Sequence, residues 1–373
     1  MTSLPPASRP AQIAAVGLRE PESASPELVP SRDWPSLRGA VVGHRLTGLA
    51  LEASERGELR LPDAALDELE ELQRDAMTHA LLLERRLVEV NSALTAGGIE
   101  FVVLKGPAIA HTCYPDPAWR PFSDLDLLVR RGQWAKACEL LTTLGYRREL
   151  PEPRPGFDVR FGKAVTFNSE EGTIDLHSTL ASGSFGVWID PDVLFESTES
   201  FALGGAKLKR LNDTVLLLHA CVHASLGWAP PLLLPLRDVL QISSTLRIDW
   251  ERFGELATRW HLDPVLQHAF GTASRVLSIA PPAQAEHWLE LTVGRRERLI
   301  LDAYTTERRA RGGMTLAMLR ALPGIRSKAA YMRSLMLPKK EFLQARADQG
   351  QRPSYLRRMA TPAGWMISAR RDR

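Results

Sequence analysis

Asp124 and Asp126 stand two residues apart in Ser123-Asp124-Leu125-Asp126-Leu127-Leu128-Val129, an otherwise apolar stretch. On a strand, that spacing puts both carboxylates on one face, about 6–7 Å apart. Side by side they repel, so they need a cation between them or a proton on one. A third carboxylate, Asp175, lies in Thr173 to Leu180 (TIDLHSTL), where alternation gives Thr173, Asp175, His177 and Thr179 a common face. Three carboxylates suit a hard divalent cation such as Mg²⁺, which takes oxygen ligands, keeps several waters and completes its shell with substrate phosphates. Two such ions about 4 Å apart activate an attacking hydroxyl and stabilise the leaving oxygen of an in-line phosphoryl displacement. Lys105 and Gly106 precede the pair. A glycine opening a helix lets backbone N–H groups approach a phosphate, and Lys105 adds a point charge there.

Alone, the Asp-x-Asp spacing fits equally well an exposed strand whose acids pair with Arg120, Arg130 or Arg131. The strand–Lys-Gly–helix order before it and Asp175 after it tip the balance toward phosphoryl chemistry. Arg120 has two even readings, a triphosphate contact or an ion pair with Asp124 or Asp116. Ser123 either positions phosphate or satisfies local backbone. His177, two residues past Asp175, is placed to orient that carboxylate. Lys163 reads as an ordinary solvated lysine. His219 and His223 share a helical face, but Ala220 stands where a metalloprotease has Glu, which argues against zinc. They read as packed core residues or as a lining of the cleft. No GxxxxGK or GxGxxG pattern occurs.

These residues need a scaffold. Phe101 to Leu104 is an apolar run of buried-strand type, and Pro107 suits the first turn of a helix running to Tyr114. Prolines 115, 117 and 121 form a loop before the acidic strand. Upstream, Trp34 to Ser54 and Pro62 to Ala96 carry helical periodicity. The second has a stripe of Leu66, Leu69, Leu72, Met77, Leu81, Leu82, Leu87, Val90 and Leu94. Gln133 to Leu144 predicts a helix stopped by Gly145. Tyr146 to Gly162 reads as loop and edge, and Lys163 to Asn168 pairs with the Asp175 strand around Glu170-Glu171-Gly172. From Asn212 onward only helices are expected, beginning with Asp213–Leu226, Leu232–Leu246, Trp250–His261 and Pro264–Ser278; Asn212 or Asp213, Asp249 and Asp263 are the capping candidates. The fold class is therefore α+β, a small mixed sheet with helices plus an all-helical C-terminal region. Three parts are expected: a disordered arm over 1–32, rich in Pro, Ser and Glu; a catalytic unit over 33–203 including the N-terminal helices; and a helical domain over 204–373.

The 373 residues carry a net charge of +3, which points to no strong polyanion partner. The basic excess is local: from Arg295 onward there are 19 Lys+Arg against 6 Asp+Glu. It reads chiefly as solvated helix faces, with an anionic acceptor such as RNA as the functional alternative. Cys113, Cys138 and Cys221 lack CxxC spacing, no signal-type core opens the chain, and no run nears the ~20 apolar residues of a membrane span. A cytoplasmic protein is expected.

The segment LKGPAIAHTCYPDPAWRPFSDLDLLV resembles the signature of the uncharacterised bacterial nucleotidyltransferase family within the DNA polymerase β-like superfamily. The likeness extends to Leu144-Gly145-Tyr146, Ile174 to His177, LNDTVLLLHACVHASLG, the RDVL run at Arg237 to Leu240, and Pro338, Phe342 and Tyr355 to Arg358. Many members of the superfamily carry Gly-Ser where this chain has Lys105-Gly106. The resemblance implies a polymerase β-like core and a Mg²⁺-dependent enzyme that moves an NMP group from an NTP to a hydroxyl. It implies Asp124, Asp126 and Asp175 as catalytic residues holding two metal ions, with Asp175 as base. Lys105, Gly106, Arg120 and Ser123 would bind the nucleotide. By analogy the acceptor is a peptide natural product or small molecule, chosen by the helical region. Rival readings are a toxin-like transferase acting on RNA ends or a protein side chain, and a non-catalytic protein that binds NTP or peptide.

Overall fold

The computed structural model describes residues 7–19, 26–305 and 311–349. Seven strands form one mixed sheet: β1 (Phe101–Val103), β2 (Leu125–Val129), β3 (Arg147–Arg148), β4 (Ala164–Ser169), β5 (Gly172–His177), β6 (Thr198–Leu203) and β7 (Ala206–Leu211), in the order β3-β4-β5-β2-β1-β7-β6. β2 lies antiparallel to β1 and parallel to β5; β1 is parallel to β7. The fold is α+β, as expected. The sheet is larger than expected, because Phe201–Leu211 is not just a boundary turn. β6 and β7 form a hairpin around Gly204 and Gly205, both with positive φ, and the mixed part runs on to Leu211. A boundary at 203/204 would cut that hairpin at its turn.

The pleat sends alternate side chains to opposite faces. Phe101, Val103, Leu125, Leu127, Ile174 and Leu176 bury one face against the 34-residue helix Asp63–Ala96 and the helix Trp134–Thr143. The stripe of the long helix that does this runs through Ala80, Leu83, Leu87, Val90 and Leu94. Leu81 and Leu82, expected in it, are 59% and 52% exposed. Leu83 holds the position instead, because the 3–4 spacing from Leu87 and Val90 selects it.

Val102, Leu104 and Leu128 point to the other face, into a second core built mainly by the C-terminal helices. Nearest the sheet is the helix Asp213–Leu226, capped by Asn212, whose side chain accepts from Val215 N–H. Asp249 likewise caps Trp250–Arg259 through Arg252 N–H. Asp263 does not cap: it is the first residue of Asp263–Leu277, and its carboxylate accepts from the Trp288 indole. Trp34 to Ser54 forms two helices, Trp34–Gly43 and Thr47–Glu55, separated at Arg45, which has a φ of 61°. Among the described residues no helix is long and apolar enough to cross a membrane.

The N-terminal segment was expected to be a disordered arm, yet residues 7–19 are packed. The helix Arg9–Ala14 buries Ala11, Ile13 and Ala14 in the second core. The fully buried Arg237 donates to the carbonyls of Ala14 and Val16 at 2.7 Å each. Those carbonyls take up Nη1 of a buried guanidinium whose Nη2 donates to Gln241 Oε1, which fixes the segment. Arg308, Arg309, Arg357, Arg358, Arg370, Arg371 and the Tyr355–Arg358 part of the resemblance lie outside the described residues.

Candidate active site

The site is made where β2 and β5 run side by side. In their parallel register Asp126 is opposite Asp175 and Leu128 opposite His177, so all four share a face. Leu128 belongs to the second core, which identifies this as the face roofed by the C-terminal helices. Ligand atoms of Asp126, Asp175 and His177 lie within 4.8 Å of one another. Asp124 falls outside that tight group. It sits in the bend just before β2, since the strand starts at Leu125 rather than Ser123, and it is partly exposed. Burial raises its pKa, the charges of Asp126 and Asp175 raise it further, and Lys105 and Arg45 oppose them.

The cation that the crowded carboxylates require is Lys105. Its Nζ lies 2.8 Å from Asp126 Oδ1, and only 13% of its side chain is exposed. His177 Nε2 meets the same oxygen at 2.9 Å. Burial by itself would raise the Asp126 pKa, but Lys105 and His177 outweigh it and hold the carboxyl well below its usual range. Both contacts engage Oδ1, and none to Oδ2 is seen among the described residues. Asp175 Oδ1 accepts from Thr166 Oγ1 at 2.7 Å. The expectation that His177 orients Asp175 is thus corrected: Thr166 does so, and His177 orients Asp126. Nδ1 of His177 lies 3.3 Å from the Thr179 carbonyl. With an oxygen beside each ring nitrogen, the imidazole acts here as a support for the Asp126 carboxylate. The carboxylate oxygens of Asp126 and Asp175, which belong to the group that could hold a metal ion, are donors of the kind a hard divalent ion takes.

Gly106 adopts φ 56°, ψ −119°, a conformation that strains any residue with a Cβ. This lets the chain turn directly from β1 into the helix Pro107–Cys113. Arg120 supports the turn, its Nη1 lying 3.3 Å from the Gly106 carbonyl. Neither reading of Arg120 names its actual partner. Nε and Nη2 donate to Oδ1 and Oδ2 of Asp238 at 2.9 and 2.8 Å, and Tyr114 Oη donates to Oδ1 at 2.8 Å. Asp238 comes from the helix Leu233–Thr245 and lies 118 residues from Arg120. The buried Tyr114, Arg120 and Asp238 lock the loop before β2 to the helical half. Ser123 is exposed beside the site, its carbonyl 3.4 Å from His79 Nε2. A separate cleft of roughly 330 Å³ is lined by Phe185, Trp188, His261, Arg296 and Arg320 and by none of the three aspartates.

Two groups were undervalued in the sequence. Lys163 feels the charges of Lys105, Asp126, Asp175 and Asp124, and burial lowers its pKa. His219 and His223 lie on the roof helix with ring centroids 6.4 Å apart. Burial, then the charges of Lys105 and Lys163, push His219 down to about 3. The four-residue spacing was the available signal, but it does not say which face of the sheet the helix covers.

The His219 shift predicts acid lability. In the unfolded chain a histidine takes up its proton near pH 6.5. The folded protein refuses that proton until about pH 3, so stability is lost as pH falls from about 6.5 toward 3. At pH 5 this amounts to about 2 kcal/mol. Urea denaturation of the wild type and His219→Leu at pH 7 and pH 5 should show the variant losing less on acidification; equal losses would contradict the assignment.

The model of a family described as "Uncharacterised nucleotidyltransferase" matches residues 30–278, from the first N-terminal helices through the helix Asp263–Leu277. No curated protein matches the chain.

Proposed function

Because the chain belongs to the uncharacterised nucleotidyltransferase family, a group of transferases, we propose that it transfers an NMP group from an NTP to a hydroxyl-bearing acceptor with a polymerase β-like core. The observation that carries this reading is the register of Asp126 against Asp175 across parallel β2 and β5, with Asp124 two residues earlier on the chain. Asp124, Asp126 and Asp175 would hold Mg²⁺, which when bound neutralises phosphate charge and lowers the pKa of a coordinated hydroxyl.

The protein's own contribution is positioning. Lys105 and His177 keep Asp126 ionised and fixed, and Thr166 fixes Asp175. In the proposed reaction Asp175 takes the acceptor's proton, the acceptor oxygen attacks the α-phosphorus, and pyrophosphate departs. Gly106 and Ser123 border the site as the backbone that faces the phosphates. The helical region supplies the opposite wall and selects the acceptor, for which a peptide or small molecule is the favoured class.

Incubation of the purified protein with Mg²⁺ and each labelled NTP, alone and with RNA, peptide or cell extract, tests this. Label transfer with matching pyrophosphate release is expected with at least one NTP, and EDTA should abolish both. Absence of NTP binding together with absence of pyrophosphate for all four would refute it. Transfer to RNA that weakens steeply with salt would replace the favoured acceptor class.

A further inference from the structure

His219 stands out among the buried polar groups around the acidic face. It is 2% exposed, and its Nδ1 has no hydrogen-bond partner among the described residues. Native proteins leave few buried polar atoms unpaired, and each exception calls for an explanation, a functional role or a bound ion among them. The roof helix that carries His219 follows β7 directly and packs on the sheet face of Asp126, Asp175 and His177.

Lys163, half-buried, stands at the edge of the same site. Its carbonyl accepts from Ser178 N–H at 2.9 Å, and the next residue, Ala164, is opposite His177, so Lys163 lies where β5 leaves the site. The nearby cations Lys105 and Arg120 are engaged by Asp126 and Asp238. Lys163 forms no ion pair among the described residues, although three carboxylates are near enough to act on it. A metal ion seated between Lys163 and His219 would be repelled by the ammonium, and an apolar ligand would leave the His219 Nδ1 unpaired. An oxyanion satisfies both at once. Burial and the two lysines also keep His219 neutral, so it offers one N–H donor without a charge that would oppose the metal.

We propose that Lys163 and His219 hold the polyphosphate of the nucleoside triphosphate, Lys163 as its counter-charge and His219 as a neutral N–H donor. This assignment rests on the nucleotidyl-transfer reading above and names residues for it.

Binding of inorganic tripolyphosphate in Mg²⁺ buffer tests the assignment without a choice of base, with AMP, CMP, GMP and UMP as triphosphate-free controls and melting midpoints as the check on folding. Loss of a hydrogen bond to a charged group corresponds to about tenfold or more in affinity. Lys163→Met and His219→Leu should each weaken tripolyphosphate by about that factor, with the monophosphates changed less than about twofold; Lys163→Arg should stay near wild type. If the wild type binds tripolyphosphate or an NTP and both variants bind it equally well, the assignment is wrong and the transfer reading stands. Parallel weakening of tripolyphosphate and monophosphates with a lowered midpoint would make the residues structural and also overturn it. If the wild type binds neither tripolyphosphate nor any NTP, the transfer reading itself fails.

Discussion

Asp126→Asn should reduce nucleotidyl transfer about a thousandfold while leaving a folded protein. A bound metal supplies several kcal/mol of transition-state stabilisation, and about 4 kcal/mol corresponds to a factor of roughly a thousand. Asn keeps the size of the side chain and an Oδ1 that accepts from Lys105 and His177, so the geometry at 2.8 and 2.9 Å has no steric reason to change. It loses the charge. Lys105, whose pKa burial would lower, is raised chiefly by the charge of Asp126, with help from Asp124. The variant therefore weakens both the metal site and the hold on Lys105. The pH dependence gives a second readout. The folded pKa of Asp126 is depressed, so its stabilisation is present above the unfolded value near 3.9 and disappears as pH falls below that toward the folded pKa. Asp126→Asn should lack this component in acid titrations followed by urea denaturation. Pyrophosphate release within tenfold of wild type would show that Asp126 does not hold the metal.

What the sequence disclosed, and what it hid, divides by the range of the interactions. Alternation places Asp175 and His177 on one face because that is a property of a single strand. Caps at Asn212 and Asp249 are equally local, and the helix Asp213–Leu226 has the bounds its pattern predicts. The pairing of Asp126 with Asp175 needs the order of β2 and β5 in the sheet, which no local pattern contains. That Lys105 meets a carboxylate rather than a phosphate depends on the depth of Asp126, again a tertiary property. The β6–β7 hairpin was obscured because Lys207, Lys209 and Arg210 dilute its apolar alternation; Lys209 and Arg210 are answered by Glu100 and by Glu199 and Asp213. The N-terminal segment misled for a related reason. Its Pro- and Ser-rich composition cannot bury a core alone, but it does not have to: Arg237 and the second core supply what it lacks.

Asp238→Ala should destabilise the protein by about 3–5 kcal/mol, the usual consequence of leaving one member of a buried pair without its partner. Arg120 is 5% exposed and would keep only the longer contact to the Gly106 carbonyl, while Tyr114 Oη would lose its acceptor. The damage reaches the site, because these residues hold the loop between the Gly106 turn and Asp124 against the helical half. Denaturant unfolding measures the loss, and one below about 1 kcal/mol would mean that the pair is not desolvated as described. Substituting Arg120→Met and Asp238→Leu together should recover much of it, since an apolar pair of similar volume often replaces a buried ion pair at little cost. The double variant also separates two roles for Arg120. If Arg120 only braces the loop, the restored protein retains its affinity for NTP. If Arg120 leaves Asp238 to grip the triphosphate, stability returns but the KM for NTP stays raised. The bidentate geometry with both Asp238 oxygens favours the first outcome, because a nucleotide would have to replace two charge-assisted hydrogen bonds already made at 2.9 and 2.8 Å.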